Sequence, residues 1–435
     1  MSARLPRAAL RAGAALLAAA TAVTAASCTM SGPVSRSILT VDLGHDLRPV
    51  THVGSGGLYA LATATDPARP LIAPLHLNQL TQPPPGVRQL GNGASTPTGD
   101  ALKVAASAAS VGAKIYIRMP DIYSDFPYHW VSWDDWLGKV RAMVEARLAD
   151  PAATSIDGWE LWNEPDWTWD TAHAGDFDSG WVRSYRAVRA LDPTTPIVGP
   201  SFSEYDPGEM ADFLANAKAT NTIPDTISWH ELAAGTSGWS DIGSHVADYR
   251  ALEKSLGIGP LPISVNEYAA KDAIDSPSGS LHFLAQFERA GVANAARAYW
   301  YESGTIGGLI WQGRPTGVYW LYDWYGSMDG RIVAVTPSAG QDGVASYDGH
   351  RHIATVLVGG EGGTNTIRIT GASALGAHVS VSILRTDATG RHQAMRRPVP
   401  VEKTHVRTDN GTVTVMLDKQ MKSSAYEIVI ASTPP

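Results

Sequence analysis

Two glutamates, Glu164 and Glu267, each follow an asparagine at the polar end of a short apolar run. The first run is Gly158-Trp159-Glu160-Leu161-Trp162, closing on Asn163-Glu164-Pro165-Asp166. The second is Leu261-Pro262-Ile263-Ser264-Val265, closing on Asn266-Glu267-Tyr268. Pro165 has no N–H and cannot continue a strand ladder, so the first run stops at its glutamate. A pair of carboxyl groups suits glycoside hydrolysis. One is protonated and donates to the leaving oxygen; the other is ionised and attacks, or activates water. A lone strand-end glutamate is ordinarily half of a structural ion pair. The repetition of the Asn-Glu ending on two strands points instead to catalysis.

The elements that position this pair follow from the spacing. The two glutamates are 267 − 164 = 103 residues apart, about three β/α units of roughly 30–40 residues each. Strand-like runs cover Val53 to Leu61, Leu75 to Leu80, Lys114 to Met119, Ile156 to Trp162, Thr195 to Phe202, Thr226 to His230, Leu261 to Val265 and Ala296 to Tyr301. Amphipathic helical stretches separate most of them. They include Asp100 to Val111, Trp133 to Leu148 after Ser132, Gly180 to Leu191, Glu209 to Ala219, His245 to Leu256, Ser280 to Ala290 and Tyr319 to Tyr325. Eight strands alternating with helices predict a (β/α)8 TIM barrel, with Glu164 and Glu267 on its fourth and seventh strands. Catalytic groups of such barrels sit at the strands' C-terminal ends.

Beyond about residue 330 the texture changes. Tryptophan ends at Trp324, and short alternating runs punctuated by Gly-rich turns predict a C-terminal all-β sandwich. The division expected is therefore a barrel over 38–330 and a sandwich over 331–435, with the strand at 38–43 a candidate to join the sandwich. Residues 29–37 read as a linker. Residues 1–28 read as a signal peptide: Arg4, Arg7 and Arg11 precede the apolar run Ala12 to Ala26, which is short for a membrane span. The single cysteine, Cys28, follows Ala25-Ala26-Ser27 and resembles a lipoprotein lipidation site, although Ala25 stands where leucine is usual. The alternative is ordinary cleavage near Ala26. Both readings place the protein outside the cytoplasm, extracellular or at the cell surface, with a membrane met only through an N-terminal lipid. One cysteine excludes an internal disulfide. A formal charge of −8 without a basic block argues against nucleic acid. The reading calls for no cofactor and no metal.

Trp162-Asn163-Glu164-Pro165 and Val265-Asn266-Glu267-Tyr268 resemble the acid/base and nucleophile motifs of the clan A retaining glycosidases. The barrel-plus-sandwich layout is most similar to glycoside hydrolase family 39. The resemblance implies that Glu164 is the general acid/base, that Glu267 is the nucleophile, and that Asn163 binds the hydroxyl beside the anomeric carbon. It also implies an oligo- or polysaccharide substrate. Tyr268 departs from the residues that follow the nucleophile in family 39 xylosidases. His230, at the end of the sixth strand in Trp229-His230-Glu231, is a candidate for the substrate or the nucleophile. Arg118, ending the third strand, either orients Glu267 or makes an ordinary barrel ion pair. Of the 14 tryptophans, Trp167 beside Glu164 and Trp300 at the eighth strand's end are the candidates for stacking on sugar rings. Trp169 and Trp229 add to this aromatic supply, and Tyr268 is counted with the substrate-binding residues. Glu231 and Glu302 read as structural.

Other chemistries lack their motifs. Position 234 is Ala, so His230-Glu231 does not begin a zinc-protease helix, and the Gly359 to Gly363 run lacks a phosphate-loop lysine. No Gly-x-Ser-x-Gly elbow is present. Two rival readings stand beside hydrolysis: a glycan-binding surface lipoprotein on a non-catalytic barrel, and a transglycosylase using the same glutamates.

Overall fold

The computed structural model describes residues 38–87, 98–123, 125–232, 238–269, 273–298 and 302–433, with 238–240 described by backbone only. Strand β1 spans Ile38–Pro49, and eight strands then close a parallel barrel. These are β2 (Gly56–Leu58), β3 (Gln79–Gln82), β4 (Lys114–Arg118), β5 (Ile156–Glu160), β6 (Ile197–Phe202), β7 (Thr226–Glu231), β8 (Ile263–Tyr268) and β9 (Asn294–Arg297). Each matches one of the eight predicted runs, with shifted ends. The Gly-rich first run contracts to three residues. The second begins later than expected, because Leu75 ends a 3-10 turn over Ala73–Leu75. The fourth stops at Glu160 rather than Trp162, because β6 pairs only with Trp159 and Glu160 before the chain leaves the sheet. The seventh runs on through Tyr268.

Closure of the barrel depends on a glycine. A Cβ on Gly56 would lie 2.4 Å from the carbonyl oxygens of both Ala295 and Gln79. Only a residue without one lets β2 sit between β9 and β3. Gly158 does similar work inside the barrel, where a Cβ would meet Tyr116 Cδ1 at 2.6 Å and Val198 Cγ2 at 2.9 Å. Period-two alternation on β5 then sets Gly158 and Glu160 inward and Trp159 outward, where its indole donates to Asp192 at 3.1 Å.

The helices form where caps and amphipathic stretches predict them. Asp100 accepts from the Lys103 amide and Ser132 from the Asp135 amide, starting helices Ala101–Ser110 and Trp133–Leu148. Helices Phe177–Leu191, Pro207–Thr220, Gly238–Ser255, Pro277–Ala290 and Gly317–Ser327 complete the outer layer. No described helix is long and apolar enough to cross a membrane.

A small hairpin, β10 (Ile310–Trp311) with β11 (Arg314–Pro315), follows the barrel's last strand. The C-terminal strands are β12 (Arg331–Thr336), β13 (Gln341–Asp348), β14 (Ile353–Gly360), β15 (Gly363–Thr370), β16 (His378–Thr386), β17 (Val399–Arg407), β18 (Val413–Gln420) and β19 (Ala425–Ser432). They form one mostly antiparallel sheet in the order β17-β16-β19-β14-β13-β12-β1-β15-β18. β1 sits within it, antiparallel to β12 and parallel to β15. Inward residues from opposite ends of the sheet, such as Val381 of β16 and Val415 of β18, share one buried cluster. The sheet is therefore folded over on itself, which gives it the two-layered core of a sandwich.

Helix Pro277–Ala290 ties this sheet to the barrel. Arg289 grips Asp342 of β13 through two 2.7 Å hydrogen bonds. Arg48 of β1 reaches Glu288 at 2.8 and 2.5 Å.

Candidate active site

The two predicted glutamates meet at the C-terminal mouth of the barrel. One carboxylate oxygen of each, together with a ring nitrogen of His230, lies within 4.8 Å of the others. All three residues are buried.

Glu267 reaches the mouth because β8 is irregular. The pairing of β8 slips between Trp229/Val265 and His230/Glu267 on one side, and between Val265 and Tyr268 on the other. An extra residue in a strand lets two neighbours address the same side. Asn266 and Glu267 use it. The Asn266 amide donates to Glu160 at 2.7 Å and to Ser201 Oγ at 3.0 Å. Glu267 accepts from Arg118 Nη1 at 2.5 Å. Tyr268 then turns outward, which corrects its assignment as a substrate-binding residue. Its hydroxyl meets Gly54 O at 2.7 Å and Tyr322 Oη at 2.5 Å, and its ring packs on Phe283 and Phe287 beneath the helices.

Glu164 gets there by a different route. It lies beyond the end of β5, in the left-handed conformation (φ 52°, ψ 51°), as the cap residue of the short helix Pro165–Thr168. A non-glycine residue in this region is strained and persists only where its surroundings hold it. Those supports are visible: the Glu164 amide donates to Ser201 O at 2.8 Å, and Thr168 Oγ1 donates to Asn163 O at 2.7 Å. The carboxylate then meets His230 Nδ1 at 3.0 Å.

Arg118 sits at the centre of the charge network. It donates to Glu160 at 3.0 Å as well as to Glu267, so one buried guanidinium serves two carboxylates. It therefore both grips Glu267 and ties β4 to β5. Burial alone would lower its pKa, but Glu160 and Glu267 hold it well above the usual arginine value. Burial likewise acts to lower His230, yet the carboxylates of Glu267 and Glu164 outweigh it and hold its pKa above the ordinary histidine value. Burial acts to raise Glu164. The His230 hydrogen bond and charge, helped by Arg118 and the Trp167 side chain, outweigh that and hold Glu164 below the usual glutamate value. The proton of the Glu164–His230 pair therefore rests on the imidazole in the free site. The three donor atoms are close enough to hold a cation, but Arg118 and the imidazolium already supply the positive charge there.

Several participants were invisible in the sequence reading. Glu160 is fully buried and holds both Arg118 and Asn266, although it lies inside the quoted motif. Its inward alternation with Gly158 was the available signal. Asp121 accepts from Tyr59 Oη at 2.8 Å and Tyr128 Oη at 3.1 Å beside Arg118, and burial pushes it up to about 7. Five buried side-chain atoms of this region, Arg118 Nη2, Glu160 Oε2, Asn163 Oδ1, His230 Nε2 and Asn266 Oδ1, have no hydrogen-bond partner among the described residues. Buried polar groups are ordinarily paired, so such a concentration marks a place where a polar ligand completes the network.

The remaining candidates divide. Asn163 is buried beside Glu164, and Trp167 stands half-exposed at the rim. Trp229 is fully buried against Tyr205 and Tyr249, and Trp169 lies among Trp130, Trp133 and Trp162. Both are core residues rather than sugar platforms, because they face the helix layer. Glu231 is structural as read, accepting from Trp229 and paired with His245 at 2.9 Å. Trp300 and Cys28 lie outside the described residues.

No family model matches the sequence. Its curated relatives include a 3-O-β-L-arabinopyranosyl-α-L-arabinofuranosidase of Bifidobacterium pseudocatenulatum, 25% identical over 90% of this chain and 47% of the relative. A 3-O-α-D-galactosyl-α-L-arabinofuranosidase of Bifidobacterium longum subsp. longum is 29% identical over 60% of this chain and 25% of the relative. The chain thus spans half the length of these relatives or less. Among solved structures, N2152 from Neocallimastix frontalis superposes with a TM-score of 0.85 at 32% identity, covering 92% of this chain and all of that one. The GH39 enzyme from Xanthomonas axonopodis pv. citri superposes with a TM-score of 0.63 at 14% identity over 92% of this chain and 98% of that one. The chain shares the fold of this family 39 enzyme. The shared arrangement is a (β/α)8 barrel joined to a β-sheet module built mostly from the C-terminal strands.

Proposed function

We propose that this protein is an exported clan A retaining glycoside hydrolase that releases an L-arabinofuranose-linked unit from a glycan. The observation that carries the mechanism is the approach of the two carboxylates to within 4.8 Å. Retaining enzymes need a separation of about 5–5.5 Å, whereas inverting enzymes leave about 6.5–9.5 Å for a water. Glu267, aligned by Arg118, attacks the anomeric carbon, and Glu164 protonates the departing oxygen. As Glu267 becomes an ester it loses the charge that helped hold the proton on His230. In that same step the proton passes from His230 Nδ1, across their 3.0 Å contact, through Glu164 to the departing oxygen, which leaves Glu164 ionised for the second half. In the second half, Glu164 deprotonates the water that cleaves the ester. The arabinofuranose assignment rests on the activities of the two curated relatives. Export rests on the Arg4 to Cys28 segment.

The test is hydrolysis of aryl α-L-arabinofuranosides and arabinofuranose-capped oligosaccharides by fractions of an exporting host, with product anomers followed by NMR. Activity in the extracellular or membrane fraction, retained anomeric configuration, and a loss of at least about 10³-fold in Glu267→Ala are expected. Inverted product, or a Glu267→Ala variant as active as wild type, would sink the mechanism. Activity confined to the cytoplasm would sink export.

A further inference from the structure

We propose that Trp167 and Phe126 form the platform of a leaving-group subsite, so that the group expelled by Glu164 is itself a sugar ring. This rests on the assignment of Glu164 as acid/base. Large apolar side chains that stay exposed ask for an explanation when they cluster beside a site. Trp167 is 53% exposed and Phe126 43%, and their rings meet edge to face at 5.2 Å. They come from different loops: Phe126 follows β4, and Trp167 lies on the short helix that Glu164 caps.

The pair adjoins Glu164. The Trp167 amide donates to Glu164 O at 3.2 Å, which fixes the indole's helix on the acid/base residue. Phe126 stacks edge to face on Tyr128 at 5.5 Å, and Tyr128 donates to Asp121 beside Arg118. Glu267 lies across the mouth on β8, buried and gripped by Arg118. In a double displacement the sugar being transferred lies over the nucleophile, and the departing group lies beyond the acid that protonates its oxygen. A platform at the rim on the outer side of Glu164 therefore faces the departing group. The two rings stand at 86°, so one offers a flat face and the other a wall beside it, a corner that suits the C–H face of a pyranose or furanose ring. A small alcohol would leave most of the pair uncovered.

The experiment measures binding and turnover separately. Calorimetric titration of an arabinofuranose-capped oligosaccharide onto Glu267→Gln is compared with the same protein carrying Phe126→Ala or Trp167→Phe, with free L-arabinose as the short ligand. Phe126→Ala is the decisive variant, since it does not contact Glu164. The oligosaccharide is expected to bind about tenfold more weakly to it, with free arabinose changed far less. In the active background, kcat/KM for the oligosaccharide should fall about tenfold further than kcat/KM for the glycosyl fluoride of the same arabinose unit. An unchanged oligosaccharide Kd in Phe126→Ala, or equal losses on both substrates, overturns the subsite. Failure of the parent reading looks different: the fluoride is not turned over by wild type, while the Kd comparison still decides whether a ring rests on Phe126.

Discussion

At the scale of single residues, the site works by distributing three carboxylates around two cations. Arg118 bridges Glu160 and Glu267, and His230 bridges Glu164 and Glu267 at 3.0 and 3.9 Å. Glu160 holds Arg118 at 3.0 Å and shares the Asn266 amide with Ser201, so it steadies both neighbours of Glu267. The His230 pairing carries a pH consequence. Its pKa is held above the ordinary histidine value, so the proton of the Glu164–His230 pair is lost only as pH rises through that raised value. The alkaline limb of kcat/KM should therefore lie above about 6.5. In His230→Gln the proton must sit on Glu164 alone, and a buried carboxyl releases it at lower pH than a doubly paired imidazolium does. A pH–rate profile should show that limb moving toward acid, with kcat reduced; an unmoved limb would show that the imidazole does not store the proton.

At the scale of elements, period-two reasoning succeeded wherever a strand stayed regular and failed where it broke. Glu267 was found because β8 ends in a polar pair, but the same reasoning assigned Tyr268 to the site. The slip around Asn266 turns the alternation over, so Tyr268 faces the helices. Trp229 and Trp169 misled for a related reason, since tryptophan near a strand end is as well suited to the helix layer as to a cleft. Short side chains matter as much as reactive ones here. Gly158 lies beneath Glu160, with Tyr116 and Val198 filling the space a Cβ would need. Gly158→Ala should cost about 1–3 kcal/mol by overpacking. It should also lower kcat by displacing Glu160 and, through it, Arg118. Urea unfolding alongside single-turnover kinetics checks both, and a wild-type midpoint would show that the barrel interior yields more easily than its contacts suggest.

At the scale of the whole molecule, the C-terminal sheet is bound to the barrel through charge as well as apolar contact. Arg289 and Asp342, and Arg48 and Glu288, are pairs linking helix Pro277–Ala290 to that sheet. Glu427 of β19 is different. Burial, with Asp323 of helix Gly317–Ser327 adding repulsion, pushes its pKa up to about 7. The folded state thus holds a proton that the unfolded chain releases near pH 4.5. Stability should fall as pH rises from about 4.5 to about 7 and stay level above that, by about 3 kcal/mol at most. Glu427→Gln should remove that part of the slope and raise the melting temperature most at pH 8. Parallel pH dependences for wild type and variant would show that the group titrates as it does in water.

The sequence by itself determined the barrel, the strands that carry the two glutamates and the presence of a separate all-β module. These are written in local periodicities and in a repeated Asn-Glu ending, which survive without knowledge of neighbours. Tertiary structure alone decided how near the carboxylates come, which cation serves which of them, and where their proton rests. It also decided that β1 inserts between β12 and β15, and that Phe126 stands beside Trp167. Each of these depends on pairing between segments far apart in the chain, on a one-residue slip in β8, or on a left-handed turn at Glu164. No local pattern of apolar and polar residues encodes them.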